Sequence, residues 1–229
     1  MNRRKGKQAG LVGLAIVLMA LCLVMISRAS REPEYQGKPL RAWLEDLDGG
    51  YGTTKYDAGQ AAIRAMGTNS LPFLIRYLRC KDPLFYHQWI RLKAKLGLSP
   101  GRVNDAVFWH RRAATACGEL GIHAAPAFPA MAEAMNDERS SDYVADALAR
   151  LLPSSAPVLT NILATGNATA RWRAADALTY AWSHPSIEEM SRTALRQASN
   201  DADPFVRLSA TRALGRLPQT EPSRGTRPD

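Results

Sequence analysis

The stretch "VRLSATRALGRL", Val206 to Leu217, decides how this chain reads. It carries alanine at positions 210 and 213, where a core helix ordinarily carries leucine. An alanine side chain lets a neighbouring backbone come close, so small residues along one face predict helices stacked in a row. Stacked helices require recurrence, and the stretch recurs. "RRAATACGELG" (Arg111 to Gly121) sets Ala113, Ala116, Gly118 and Leu120 over Ala210, Ala213, Gly215 and Leu217. "YVADALARLL" (Tyr143 to Leu152) and "WRAADALTYAW" (Trp172 to Trp182) share Ala-Asp-Ala-Leu, and "YDAGQAAIRAMG" sets Ala62 over Ala116.

A second amphipathic segment follows most copies and opens near a proline, a position where the missing N–H costs nothing. "SLPFLIRYL" (Pro72), "AAPAFPAMAEAM" (Pro126) and "SAPVLTNIL" (Pro157) superimpose, with "HPSIEEMSRTALRQAS" (Pro185) a looser fourth. The unit is helix, turn, helix. The aligned alanines at 62, 116, 147, 177 and 213 step by about 54, 31, 30 and 36 residues, so a period in the low thirties is broken once. The excess falls in residues 82–105, "DPLFYHQWIRLKAKLGLSPGRVND", which predict one inserted helix from Phe85 to Leu96.

These residues resemble the HEAT-repeat proteins, in particular the short bacterial HEAT-like repeats. The likeness covers roughly Tyr56 to Leu217 and rests on "DPFVRLSATRALGRL", where Asp203, Pro204, Val206, Arg207 and Ala213-Leu214-Gly215 stand as in that family's first helix. Arg171 matches Arg207 but follows Ala170, and Asp203 has no equivalent in the first three units. The resemblance implies an all-α fold, a right-handed α-solenoid of stacked helical pairs. A second likeness lies in "REPEYQGKPLRAWLEDLD", whose Tyr35, Gly37, Lys38, Pro39, Leu40, Trp43 and Leu44 resemble the opening of membrane-anchored bacterial HEAT-repeat proteins. It implies location and architecture and brings no activity. Leu40, Trp43, Leu44 and Leu47 also form an i, i+3, i+4, i+7 face, which predicts a helix capping the open end of the stack.

The N-terminus is a membrane signal. Arg3, Arg4, Lys5 and Lys7 precede an uncharged run, Gln8 to Ser27, long enough as a helix to cross a hydrocarbon core of about 30 Å. Basic residues before the run predict a single-pass transmembrane helix in the cytoplasmic membrane, N-terminus inside, with the repeats on the periplasmic or extracellular side. Cleavage at Ser27-Arg28-Ala29 and secretion is the alternative; the anchor is preferred because the run exceeds the usual signal-peptide core. Met19-Ala20-Leu21 before Cys22 lacks the small residue lipidation needs, and Lys5-Gly6 after the twin arginines argues against a twin-arginine signal. The expected organisation is an anchor or signal peptide over 1–29, a juxtamembrane segment and capping helix over 30–55, repeats over 56–217, and a disordered tail over 218–229.

Of the formal charge of +9, Arg3, Arg4, Lys5, Lys7 and Arg28 supply +5 and the rest of the chain +4, so the high pI mostly reports the membrane signal. Nucleic acid is not an expected partner. Cys80 and Cys117 fall outside the anchor, and Cys117 takes the core position of Ile63, Leu148 and Leu214, which predicts a buried free thiol over a disulfide.

No constellation for catalysis emerges. His87, His110, His123 and His184 show no i, i+4 pair for a metal, and none is expected. "DLDGGYGTTKYD" (Asp46 to Asp57) fails as a calcium loop because position six is Tyr51, and it lacks phosphate-loop spacing. No cofactor is expected. Function therefore points to a non-enzymatic scaffold for a protein or peptide partner, of acidic character. HEAT-like lyases or chromophore-binding proteins are one alternative, though none of their catalytic residues maps here; HEAT-like nucleic-acid-binding proteins are another, set against by export.

The expected binding residues fall in three groups. In the second helix of unit one, Leu71, Leu74, Ile75 and Leu78 read as the buried stripe, leaving Phe73, Arg76, Tyr77 and Cys80 outward with Arg79 beside them. The same frame turns Ala127, Ala130 and Met131, then Val158, Asn161 and Ile162, then Glu189, Arg192 and Arg196 outward. In the insert, Phe85, Trp89, Leu92 and Leu96 are expected to pack on the first two units, exposing Arg91, Lys93 and Lys95 as a basic patch for an acidic segment or an anionic envelope component.

Overall fold

The computed structural model describes residues 32–49, 52–98 and 105–218. The apolar run Gln8–Ser27 and the tail beyond Pro218 lie outside the described residues. Among those described, no helix is long and apolar enough to cross a membrane.

The structure is mostly α-helical. It begins with a small antiparallel hairpin, β1 (Glu34–Tyr35) and β2 (Lys38–Pro39), pairing Glu34 with Pro39 and Tyr35 with Lys38. Gln36 and Gly37 both have positive φ, the twist a two-residue hairpin turn requires. The sequence reading did not anticipate it. Then come α1 (Leu40–Asp46), α2 (Thr54–Met66), α3 (Leu71–Leu78), α4 (Tyr86–Lys95), α5 (Ala106–Leu120) and α6 (Phe128–Ala134). They are followed by α7 (Ser141–Arg150), α8 (Ala156–Thr165), α9 (Ala168–Ala177), α10 (Glu188–Ala198) and α11 (Pro204–Arg216).

The helices pack as two rows. In one, α2, α5, α7, α9 and α11 each lie against the next; in the other, α3, α6, α8 and α10 do the same. The local chemistry of the two rows differs. In the first row, Thr53, Asp105, Asn167 and Asp203 accept backbone N–H bonds at the starts of α2, α5, α9 and α11, satisfying donors that have no partner within the helix. The second row starts on prolines instead, with Pro72, Pro129 and Pro157 in the first turns of α3, α6 and α8. Between the rows, Gly67 (φ 55°, ψ −141°) and Gly121 (φ 59°, ψ −137°) end α2 and α5 in the same conformation, one a side chain resists.

The aligned alanines sit where close packing needs them: Ala62, Ala116, Ala147, Ala177 and Ala213 are all buried. The core is one continuous cluster from Leu40 to Leu217. At its N-terminal end α1 buries Leu40, Trp43 and Leu44, with Leu47 just after it, against α2. Gly59 makes that crossing possible, since a Cβ there would stand 3.1 Å from the Leu47 side chain and 3.2 Å from the Trp43 carbonyl oxygen.

Side chains link neighbouring helices in register. Arg171 grips Asp201 with two parallel bonds of 2.8 Å, its Nη1 donating to the Gly166 carbonyl at 2.9 Å. Asn167 donates to the Asn136 carbonyl at 2.9 Å, and Gln60 and Arg64 both reach Glu119 at 2.6 Å. The Arg171 bond holds the Asp201 carboxyl below its ordinary range. A depressed folded value means stabilisation that is complete above the unfolded value, about pH 4, and lost as pH falls through the folded one. Asp201→Asn is expected to be less stable than the parent at pH 7 and to approach it in acid; parallel melting curves across pH 2–7 check this, and a constant gap would remove the ion pair from the account.

Candidate functional site

The second-row surface is polar, and its frame differs from the expected one. Phe73 is buried, 8% exposed, within the core. Tyr77 is half-buried, its ring stacked on Trp109 at 4.7 Å and its hydroxyl donating to Glu32 Oε1 at 2.5 Å. Ala127, Ala130, Met131 and Ile162 are buried as well, and Val158 is partly so; of that central set only Asn161 faces solvent. Arg192 is buried too, tied to Glu188 at 2.5 Å and to the Pro218 carbonyl. These are corrections with one cause: each second-row helix packs on a first-row helix as well as on its row neighbours, so it buries a wide arc and not a stripe. The exposed positions run instead from the helix start, as Pro72, Arg76 and Arg79, then Pro129 and Glu133, then Pro157, Asn161 and Ala164, then Glu189, Thr193 and Arg196.

Of the expected residues, Arg76, Arg79, Asn161, Glu189 and Arg196 are exposed in this row. Arg76 lies over the Phe73 ring, 5.4 Å from its centroid. Arg79 makes a two-pronged pair with Glu133 at 2.8 and 2.9 Å, which raises the guanidinium's pKa and lowers the carboxyl's.

Arg79 borders a cleft of about 570 Å³ between the C-terminal ends of α3 and α6 and the N-terminal end of α5. Its floor is a polar knot. His110, buried on α5, has Nε2 2.9 Å from the Cys80 carbonyl and Nδ1 3.1 Å from Ser140 Oγ. A carbonyl only accepts, so Nε2 donates to it, while Ser140 Oγ also lies 3.3 Å from the Ala134 carbonyl and 3.4 Å from that of Asp137. Asp82 accepts from the Ala106 N–H at 2.6 Å, Asp105 from the Phe108 N–H at 2.8 Å, and Arg139 reaches both carboxylates at 3.4 and 3.9 Å. Asp82 and Asp105 bracket the insert, so its two ends are pinned at one point.

The knot does not assemble a nucleophile. His110 touches the Cys80 backbone, while the thiol faces the Ala106 carbonyl at 4.0 Å. Burial first, then Asp82 and Asp105, push the Cys80 thiol up to about 11; burial alone pushes Cys117 up to about 12. The thiolate is the reactive form. Both cysteines are free. In native protein at pH 8 both should react with a thiol reagent far more slowly than in denaturant, Cys117 the slower; rapid native labelling of Cys117 would place it outside the core. Among the described residues no cluster of three metal-binding side chains occurs.

The insert contradicts the packing expected of it. Helix α4 stands off from both rows. Phe85, Trp89, Leu92 and Leu96 are exposed, Trp89 by 56%, and Leu84 and Leu98 flank them in solvent, Leu84 by 94%. Arg91 and Lys95 are exposed, while half-buried Lys93 sits over the Trp89 ring, 5.5 Å from its centroid.

The sequence reading missed the knot, although part of the signal was present: Ser140 lies 30 residues after His110, one repeat period on, whereas Cys80 reaches His110 across the insert. The Asp46–Asp57 stretch, which the sequence excludes as a calcium or phosphate loop, carries a second set of contacts. There Asp48 accepts from Arg111 at 2.9 Å and pairs with Arg112, whose Nη1 donates to the Leu47 carbonyl at 3.1 Å.

The chain matches no protein-family model, and no curated protein matches it.

Proposed function

We propose that the protein is a HEAT-like α-solenoid, right-handed, that serves as a non-enzymatic scaffold for a protein or peptide partner outside the cytoplasmic membrane. Support for the solenoid comes from the two rows of helices together with the sequence period: Arg171 to Asp201, Asn136 to Asn167 and His110 to Ser140 are bonds between residues 30 or 31 apart. Each unit then contacts its neighbours and leaves one long face open, as stacked-repeat proteins do.

The observation that carries a binding role is the cleft beside Arg79. It is open, lies at the base of the insert, and is lined by Arg79, Lys81 and Arg139 together with Asp82, Glu133 and Asp137. Donors and acceptors spaced this way suit an extended acidic peptide whose carboxylates exchange for Glu133 on Arg79. The apolar run Gln8–Ser27 supplies the membrane anchor in this reading.

A photo-crosslinking residue placed at Lys81 in intact cells is expected to give a discrete adduct, reduced by Arg79→Glu, while one at Asp176 on the first row gives none. Equal labelling from both positions would remove the cleft from the proposal. A reporter active only outside the cytoplasm, fused after Asp229, tests the topology separately.

A further inference from the structure

The exposed stripe of α4 has chemistry that the cleft does not use. Helical residues advance about 100° each. Phe85, Trp89, Leu92 and Leu96 therefore share one narrow face, with Lys93 on one flank, and Lys95 and then Arg91 on the other. Tyr86 and Ile90, about a quarter turn or more from the stripe, are half-buried, as is Lys93 between them and the stripe, so the helix meets the body sideways and turns its apolar face away. No acidic residue occurs between Asp82 and Asp105.

We infer that α4 is an in-plane membrane helix, which lays this stripe into the headgroup boundary of a bilayer rich in anionic lipid. An apolar face with tryptophan and phenylalanine, fringed by lysine and arginine and free of acids, is the pattern of helices that lie on membranes. Its flanking lysines carry charge to the lipid phosphates while their methylenes lie along the apolar face. Pairing with a second copy is disfavoured, because two such faces would bring their cationic fringes together.

Chain length also brings a bilayer near. Glu32 is hydrogen-bonded to Tyr77 at the C-terminal end of α3. Ser27, the last residue of the apolar run, is five residues away, which extended chain spans in at most about 18 Å. The insert departs from the same end of α3, with Tyr86 nine residues after Tyr77. This second argument rests on the anchor proposed above; the charge and pattern of α4 do not.

The test uses the full chain reconstituted with vesicles of phosphatidylglycerol carrying brominated acyl chains, which quench tryptophan within the bilayer. In a background carrying Trp172→Phe and Trp182→Phe, because Trp182 is 53% exposed, Trp89→Phe is expected to remove most of the quenchable emission, since Trp43 and Trp109 are buried in the core. The triple change Arg91→Glu, Lys93→Glu and Lys95→Glu should leave melting unchanged and weaken partitioning of α4 by about a hundredfold or more, taking about 1 kcal/mol for each basic residue near an anionic surface. Protein that resists alkaline extraction but shows the same quenching with and without Trp89 would overturn the inference and leave the anchor standing. Protein extracted by alkali, yet quenched through Trp89 and released by molar salt, would sink the anchor and sustain α4. Unquenched Trp89 protected only by an added protein partner would also overturn it.

Discussion

Ala116→Leu is expected to destabilise the protein by about 2 kcal/mol, lowering the melting temperature by roughly 4–8 °C. Ala116 is fully buried on α5, the helix that packs against α2, α3 and α7 at once. Three added heavy atoms have no free volume to enter, and relief in one direction presses on another neighbour. Ala58, on the exposed side of α2, is the control: Ala58→Leu should shift melting by less than about 0.5 kcal/mol. Equal melting of the two variants would show that α5 is not held at close approach and would remove the reason for alanine at the aligned positions.

A larger loss is expected from a single carboxylate. Arg112 is 3% exposed, and burial lowers its pKa, so its charge is held in a site that disfavours it. Asp48 supplies the compensating charge and pairs with Arg111 too. Asp48→Ala leaves the Arg112 charge buried with the Leu47 carbonyl as an acceptor, and breaking a buried pair this way costs about 3–5 kcal/mol. The lower end applies, because Asp48 is itself one-third exposed. Adding Arg112→Met should recover most of the loss, since the orphaned charge leaves with its partner. Urea denaturation of the two singles and the double gives the coupling directly. A loss under about 1 kcal/mol for Asp48→Ala, or no recovery in the double, would show that the pair does not hold the turn after α1 to α5.

What the sequence made legible was set by which forces are local. Small residues at 62, 116, 147, 177 and 213, prolines at 72 and 157, and the Leu40-Trp43-Leu44-Leu47 face all report demands made within one helix or turn, and each helix forms where those demands place it. Faces were harder. Periodicity shows that α4 has an apolar side but not what meets it, and Phe85, Trp89, Leu92 and Leu96 face solvent. In α3 the stripe of Leu71, Leu74 and Leu78 was legible, yet Phe73 is drawn in because α5 and α6 approach from different sides. The cleft required three segments to converge, and only the 30-residue spacing from His110 to Ser140 carries any trace of it along the chain.

The two ends of the helical rows are finished differently, and that difference sets a direction. At one end α1 covers α2 with leucine and tryptophan; at the other, α11 buries Val206, Ala210 and Ala213 inward but keeps Phe205 and Leu208 in solvent. A helix supported on one side opens by fraying, whereas α5 opens only when its neighbours do. Within the two rows, amide protons should therefore exchange along a gradient, fastest in α11 and slowest in α5, so that the stack loosens from α11 towards the middle and the capped end stays shut.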